Sequence, residues 1–218
     1  ESVRTVLTAS ADVPGEYDGT YGDLYYKNDD DLVSIVGCKT TAESVEIPAE
    51  IDGKPVTSIE KMAFSGCTSL TAITIPDSVT NIGVGVFFDC TSLTEITIPD
   101  SVTSIGYTAF CGCTSLKKIV IPDGITSIEG SVFYGCTSLT EITIPDSVTS
   151  IWSSAFRGCS SLTEITIPDR VTSIGDSAFY SCTSLTEITI PDSVTNIEGF
   201  VFTDTPWLTA KQEENPLV

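Results

Sequence analysis

The amino-acid sequence predicts an α/β-type repeat solenoid that is mostly β, with a parallel sheet and an N-terminal β-hairpin cap. A 23-residue unit that begins at Leu70 is written six times with no change in length. The consensus of the units reads Leu-Thr-x-Ile-Thr-Ile-Pro-Asp-Ser-Val-Thr-x-Ile, then a variable stretch, then Phe-x-x-Cys-Thr-Ser. A unit of this length is one supersecondary element, which buries its apolar side by stacking on copies of itself.

The boundaries of the repeat divide the chain into four parts. We expect a flexible lead-in over residues 1–16, a β-hairpin cap over 17–44, a solenoid over 45–205 and a tail over 206–218. The hairpin is predicted because two alternating apolar runs, at 24–26 and 32–36, flank a turn-forming run of Asn and Asp at 28–31. The tail either folds back as a cap or is the truncated start of another coil.

The solenoid is predicted to contain one divergent coil and six regular ones. In a regular coil Leu93, Ile96 and Ile98 should point inward while Glu95 and Thr97 point outward, because side chains alternate along a half-buried strand. Pro and Asp then turn the chain, and Val-Thr-x-Ile forms a second extended run on another wall. One phenylalanine of each coil should fill the interior, at Phe64, Phe87, Phe110, Phe133, Phe156, Phe179 and Phe202.

The chain has eight cysteines, six of which recur three residues after these phenylalanines. Their position predicts a column of small, buried, free thiols. A disulfide between neighbouring coils stays open as an alternative, since strand spacing does not forbid it. Metal ligands must converge on a point, whereas these residues form a line, so no metal site is expected. Cys111 falls in a variable position and is predicted to be an exposed, reactive thiol, while Cys38 has no assignment.

Composition excludes several function classes. Apolar residues make up 41% of the chain, which indicates an ordered protein despite the formal charge of −20. Nucleic acids and anionic membranes attract clustered Lys and Arg, and the ten basic residues form no cluster. No apolar run is long enough to span a bilayer, so we expect no membrane insertion.

Catalysis is not expected. The chain contains no histidine, which removes imidazole bases, imidazole metal ligands and the usual partner of a nucleophilic Ser or Cys. No glycine-rich phosphate-binding loop occurs. Two carboxylates suffice for glycoside hydrolysis, but none of the many acids stands apart from the repeat. The sequence therefore predicts a protein without enzymatic activity or cofactors.

Two outward-facing columns follow the predicted strands and turns. Glutamates at the outward strand position form the first column, which is a candidate site for a cation or a basic partner. The alternative is that they form a solvent-exposed face without a ligand, repeated because the unit was duplicated. Two lysines interrupt this column and are its one distinctive feature. Aspartates after each repeat proline form the second column, and turn chemistry accounts for them. The first column consists of Glu95, Lys117, Lys118, Glu141, Glu164 and Glu187.

A third column follows the buried phenylalanines by one residue and consists of Phe88, Cys111, Tyr134, Arg157 and Tyr180. Tyr107 and Trp152 lie in a nearby variable stretch. Tyr, Trp and Arg are the side chains that anchor protein interfaces. The column is therefore a candidate surface for a partner or for self-association, and packing against the adjacent coil is the alternative.

The repeat resembles the BspA-like, or treponemal-type, leucine-rich repeats. The features that carry the resemblance are the LxxIxI strand, the Pro-Asp turn, the Val-Thr-x-Ile run and the last part of the unit. This last part reads Ala-Phe-x-Gly-Cys at 63–67 and 155–159. The resemblance covers about residues 20 to 210. It implies a leucine-rich-repeat horseshoe with a parallel sheet on its concave face. It transfers neither catalytic residues nor a ligand.

The resemblance also implies a bacterial protein that is secreted or displayed on the cell surface, here in a mature form without its leader. Members of the family bind matrix proteins of a host and other cells. We therefore expect a non-catalytic adhesion module that recognises a protein of a host or of a neighbouring cell. The alternative is a structural spacer or a self-assembling unit within a larger surface protein.

Overall fold

The chain is a mostly-β solenoid of seven stacked coils in a computed structural model that describes residues 16–214. The predicted lead-in, apart from Glu16, and the strand-like ending at 215–218 lie outside the described residues. In chain order the elements are β1 (Gly19–Tyr21), β2 (Leu24–Asp29), β3 (Leu32–Cys38), β4 (Ser44–Glu46), β5 (Glu50–Ile51), β6 (Lys54–Ile59), β7 (Ala72–Thr74), β8 (Asn81–Ile82), β9 (Ser104–Ile105), β10 (Lys118–Val120), β11 (Ser127–Ile128), β12 (Glu141–Thr143), β13 (Ser150–Ile151), β14 (Glu164–Thr166), β15 (Ser173–Ile174), β16 (Glu187–Thr189), β17 (Asn196–Ile197) and α1 (Pro206–Glu214).

The predicted hairpin is present as β2 and β3, which pair antiparallel, and β1 adds a third strand outside β2. β3 then pairs parallel to β6, the first strand of the solenoid on that side. Val33 and Ile35 of β3 are fully buried. The hairpin thus covers the open apolar end of the first coil, where an uncovered sheet edge would otherwise face solvent.

Each coil has three walls, which we name by the part of the repeat that forms them. The first wall holds the Leu-x-x-Ile-x-Ile strands β4, β7, β10, β12, β14 and β16. The second wall holds the Val-Thr-x-Ile strands β6, β8, β9, β11, β13, β15 and β17. The third wall holds the Phe-x-x-Cys stretch, which has no strands. Equivalent residues pair in register from coil to coil, as Ile151 does with Ile174.

The first wall does not form the single continuous sheet that the repeat predicts. Its strands pair as β4 with β7, β10 with β12 and β14 with β16, and Glu95 forms an isolated bridge to Lys118. The hydrogen bond from Thr94 N–H to Thr71 O has an N···O distance of 3.3 Å, which is long for a backbone hydrogen bond. The second wall carries the longer sheets, and it is interrupted between β9 and β11.

The predicted phenylalanine column forms the centre of the core. Six of its seven rings are at most 1% exposed, and Phe202 at the end is 8% exposed. Neighbouring rings stack with centroids 5.2 to 5.7 Å apart and planes within 23° of each other. The predicted inward residues Leu93, Ile96 and Ile98 are also buried. Identical side chains therefore lie above one another through all seven coils.

The repeated cysteines are buried free thiols, as the sequence predicts, and so is Cys38. Each thiol from Cys90 to Cys182 in the repeated position donates to the carbonyl oxygen of the core phenylalanine one coil earlier, at 3.0 to 3.2 Å. The prediction of an exposed, reactive Cys111 is wrong, because it is only 4% exposed. It packs with Met62 and Phe88 in a small apolar cluster beside the main core.

Threonines link the coils through their hydroxyl groups. In the second wall Thr80, Thr103, Thr149 and Thr172 each donate from Oγ1 to the carbonyl oxygen of the threonine one coil earlier, at 3.2 to 3.4 Å. Their backbone N–H groups donate to the same oxygens at 2.9 Å. The exposed threonines of this wall are therefore explained by contacts between coils.

Two positions of every coil have positive φ and account for the small residues of the third wall. One follows the core phenylalanine by two residues and carries glycine in four of seven coils, with Asp or Ser in the others. The second precedes the core phenylalanine by two residues and is occupied by Phe200 in the last coil, with φ of 58°. A bulky residue with positive φ is uncommon, because its Cβ crowds the backbone.

Residues 206–214 of the tail form helix α1, which packs against the last coil. The Trp207 ring lies 4.8 Å from that of Phe202, and Trp207 N–H donates to Leu185 O at 3.0 Å. Thr205 occupies the position of the repeated cysteine and is the N-cap of α1, with Pro206 at the first helical position. Its Oγ1 accepts from Leu208 N–H at 3.2 Å and donates to Phe202 O at 2.7 Å.

Thr205→Val is expected to destabilise the protein by about 1 to 2 kcal/mol, because it removes the N-cap acceptor and leaves buried polar groups unpaired. Urea unfolding followed by circular dichroism measures the change. Thr143→Val is the matched control, since Thr143 is exposed and the equivalent position one coil earlier holds Val120. Equal midpoints for the two variants would contradict the capping role.

Candidate functional site

An acidic groove lies on the first wall of the last three coils. Glu141, Glu164 and Glu187 project from β12, β14 and β16, and a turn aspartate, Asp146, lies at its side. The groove has a volume of about 440 Å³ and is open to solvent. Glu164 and Glu187 are direct partners in the β14–β16 pair, with Thr166 opposite Thr189 beside them. Parallel pairing in register therefore lines up the carboxylates that the sequence predicts as one column.

A lysine borders this groove on its N-terminal side. Lys118 of β10 pairs in register with Glu141, and its Nζ forms an ion pair with the Glu141 carboxylate. Both side chains are more than half exposed. Lys117 is exposed beside it, while Glu95 lies one coil earlier and does not line the groove. The structure thus brings Glu141, Glu164 and Glu187 together and gives one of them a partner within the chain.

The third predicted column splits into two parts. Phe88 and Cys111 are buried, which contradicts their outward assignment, because Met62 packs over them. Tyr134 packs against this cluster. The Arg157 guanidinium then lies 5.8 Å from the ring centre of Tyr134 and 4.5 Å from that of Tyr180. The second part is therefore a cation–π stack that holds an arginine between two tyrosines.

The remaining aromatic candidates lie apart from this stack. Tyr107 is 45% exposed and Trp152 is 55% exposed. A Cβ added at Gly130 would lie 3.0 Å from the Tyr107 ring, so that ring lies against the next coil. The third wall therefore presents separate aromatic side chains around one ordered arginine.

The groove offers carboxylate and hydroxyl groups at an open surface. Such groups bind cationic side chains through charge and hydrogen bonds. Among residues 16–214 no group of three or more Cys, Asp and Glu is placed to hold a metal ion. Within the same range no helix has the length and apolar character to cross a bilayer.

Two residues of the last coil were missed as surface features by sequence reasoning. Ile197 is 47% exposed and Phe200 is 71% exposed, although both occupy positions that are buried or half-buried in earlier coils. The sequence does contain a signal for the exposed Phe200, because this residue stands where other coils have Gly, Ser, Thr or Met. Asp146 was explained by its turn alone, and its place beside the groove follows from the stacking.

Comparison with protein families finds six copies of the BspA type leucine rich repeat region, over residues 37–161 and 103–213. No curated protein matches the chain. Among solved structures, the leucine rich repeat protein of T. pallidum is 34% identical with a TM-score of 0.81. The match covers 89% of this chain and 93% of that protein.

Two further solved structures are similar over most of this chain. A leucine-rich repeat protein from Bacteroides ovatus is 30% identical with a TM-score of 0.66, and the match covers 87% of this chain and 57% of that one. A leucine rich cell surface protein from Faecalibacterium prausnitzii is 33% identical with a TM-score of 0.61, and the match covers 83% and 55%. This chain spans little more than half the length of these two proteins.

Proposed function

Because the chain belongs to the BspA-type leucine-rich repeat family, we propose that it is a non-catalytic adhesion module, displayed outside a bacterial cell, that binds a protein partner through its solenoid surface. Repeat folds of this kind are protein-interaction or scaffold modules. The cell-surface naming of the F. prausnitzii protein supports the proposed location. The partner is a protein of a host or of a neighbouring cell.

The acidic groove is the observation that carries this proposal. It gathers Glu141, Glu164, Glu187 and Asp146 at one open surface, and Lys118 offsets only one of these charges. The formal charge of the chain is −20, so a basic partner is drawn to it from a distance and an acidic one is repelled. A segment rich in Lys or Arg on the partner fits this surface.

The triple substitution Glu141→Gln, Glu164→Gln and Glu187→Gln is expected to weaken binding of an oligolysine peptide about tenfold. Three exposed charge pairs at about 0.5 kcal/mol each add to roughly 1.5 kcal/mol. Isothermal titration calorimetry at low salt measures the affinity. Glu43→Gln, Glu46→Gln and Glu50→Gln together form the control, since they remove the same charge from exposed positions outside the groove. Equal losses of affinity in the two variants would show that net charge alone drives binding and would eliminate the groove as the site.

A structural spacer or self-assembling unit is the second candidate function. The exposed Ile197 and Phe200 at the last coil favour it, because a soluble monomer rarely presents a large apolar patch at a sheet edge. Arg157 with Tyr134 and Tyr180 provides a second candidate contact on the third wall. Mass measured over a range of concentrations separates an assembling unit from a monovalent binder.

A further inference from the structure

The second wall ends on a strand with one uncovered edge. β17 is the last strand in the order β11-β13-β15-β17, and within residues 16–214 it pairs with β15 alone. Ile197 in β17 is 47% exposed, whereas the equivalent isoleucines of the six preceding coils are at most 7% exposed. Each of those isoleucines is covered by the coil that follows it. The last coil therefore presents the apolar edge that another strand covers elsewhere in the molecule.

Phe200 extends the same uncovered surface. It is 71% exposed, while the equivalent Met62, Thr108 and Ser131 are at most 8% exposed. In inner coils the N–H at this position donates forward, as Ser177 N–H does to Gly199 O at 2.9 Å. Phe200 has no such acceptor among the described residues. Unpaired backbone groups and apolar side chains thus lie together at this end.

The opposite end of the molecule shows what covers such an edge. There β3 pairs parallel to β6, with Val33 opposite Val56 and Ile35 opposite Ile59. All four side chains are fully buried. A single strand with apolar residues on one face therefore closes the second wall, without a complete coil.

One stretch of the chain outside the described residues has the spacing of a second-wall strand. Residues 3–6 read Val-Arg-Thr-Val, and β17 with its preceding residues, 194–197, reads Val-Thr-Asn-Ile. Both place two apolar residues around two polar ones. Arg4 is the one cation among the first fifteen residues, and the last coil carries the exposed acids Asp192 and Glu198. Pattern and charge therefore both fit the uncovered edge.

We propose that residues 3–6 of one copy add as a parallel strand to β17 of a second copy. The described chain begins at Glu16, which forms an ion pair with Lys27 of the hairpin, and the hairpin and β17 lie at opposite ends of the stack, separated by six ring spacings of 5.2 to 5.7 Å. The donor segment and the acceptor edge are different surfaces, so the contact is heterologous and repeats head to tail. Copies with a charge of −20 repel one another, and salt screens this repulsion, so assembly increases with ionic strength.

The first test compares the mass of variants of the 218-residue chain by light scattering after gel filtration. The parent chain is expected to gain mass with concentration and with salt. Val3→Ser with Val6→Ser should raise the concentration needed for assembly about tenfold or more, because it removes the apolar side chains that cover Ile197. Val13→Ser is the control in the same segment and should assemble as the parent does. A parent that stays monomeric at all salt concentrations, or equal effects of the two variants, overturns the proposal.

The second test mixes two blocked variants. Ile197→Lys blocks the acceptor edge and keeps the donor segment, whereas the Val3→Ser, Val6→Ser chain keeps only the acceptor edge. Each is expected to be monomeric alone, and their mixture should form a one-to-one dimer that grows no further. Phe200→Ser, at a more exposed position, replaces Ile197→Lys if circular dichroism shows that the latter is unfolded. A mixture that stays monomeric, or that forms longer chains, overturns the head-to-tail contact.

Discussion

Raising the pH above about 9 is expected to unfold the protein. Burial raises the pKa of the thiols of Cys90, Cys113, Cys136, Cys159 and Cys182, for Cys182 to about 12. An unfolded thiol has a pKa of roughly 8.5. The unfolded chain therefore releases these protons first as the pH rises. The stability that they contribute is complete below about pH 8.5 and is lost progressively between that value and the folded pKa.

The expected slope is large because five thiols act together. Each one lowers the free energy of unfolding by about 1.4 kcal/mol per pH unit once the unfolded thiol is ionised, so five lower it by roughly 7 kcal/mol per pH unit. The free energy of unfolding of a folded protein is about 5 to 15 kcal/mol in total. Urea midpoints measured from pH 8 to pH 10 under reducing conditions should therefore collapse over about one to two units. Midpoints that stay level across this range would contradict the account.

Cys136→Ser is the matched control for the alkaline transition. A serine hydroxyl at this position can still donate to Phe110 O, which accepts from the Cys136 thiol at 3.2 Å. Serine does not titrate in this range, so the slope of stability against pH should fall by about 1.4 kcal/mol per unit. The change in slope separates titration from any loss of packing, which shifts stability equally at every pH.

Phe133→Ala is expected to lower the free energy of unfolding by about 3 to 5 kcal/mol. The ring is 1% exposed and stacks between Phe110 and Phe156, with centroids 5.6 and 5.4 Å away. Its removal leaves a cavity between rigidly paired coils and deletes contacts on both faces. Denaturant unfolding measures the loss. A cost below about 1 kcal/mol would show that the column does not carry the core.

The shape of the same unfolding curve carries further information. Phe133 lies in the coil of β11, where the second wall is interrupted between β9 and β11. Because each coil contacts only its neighbours, a cavity at this seam should uncouple the two halves and broaden the transition. Phe200→Ala is the control, since Phe200 is 71% exposed and its truncation should change stability by at most about 0.5 kcal/mol.

Periodicity predicts the features that repeat, and it predicts them at the level of single residues. The phenylalanine and cysteine columns, and the inward Leu93, Ile96 and Ile98, are confirmed because each coil faces an almost identical neighbour. Identical surroundings leave one consistent direction for each side chain. The hairpin of β2 and β3 is also present as predicted, because its turn is encoded within a few residues.

The parts that periodicity does not predict are those where the repeat changes. Cys111 and Phe88 are buried because Met62 of the divergent coil packs beside them, a contact that no single repeat contains. Helix α1 has recognisable signals in Thr205 and Pro206, but these residues stand where the repeat stops, so periodicity alone predicts no helix there. Periodicity also does not predict the groove, because the groove depends on the relative placement of Asp146 and Glu164, and that placement follows from how turns and strands stack.

Hydrogen bonds between coils give the molecule a mechanical character. In the second wall Thr172 N–H donates back to Thr149 O, and in the third wall Phe156 N–H donates forward to Ala178 O, so these bonds run along the stack. Tension between the two ends of the stack acts on all of these interfaces in series, so the weakest interface opens first. A released turn of 23 residues extends by about 70 Å beyond its folded thickness. A tether built this way lengthens in steps and absorbs a pull while most of its turns stay intact.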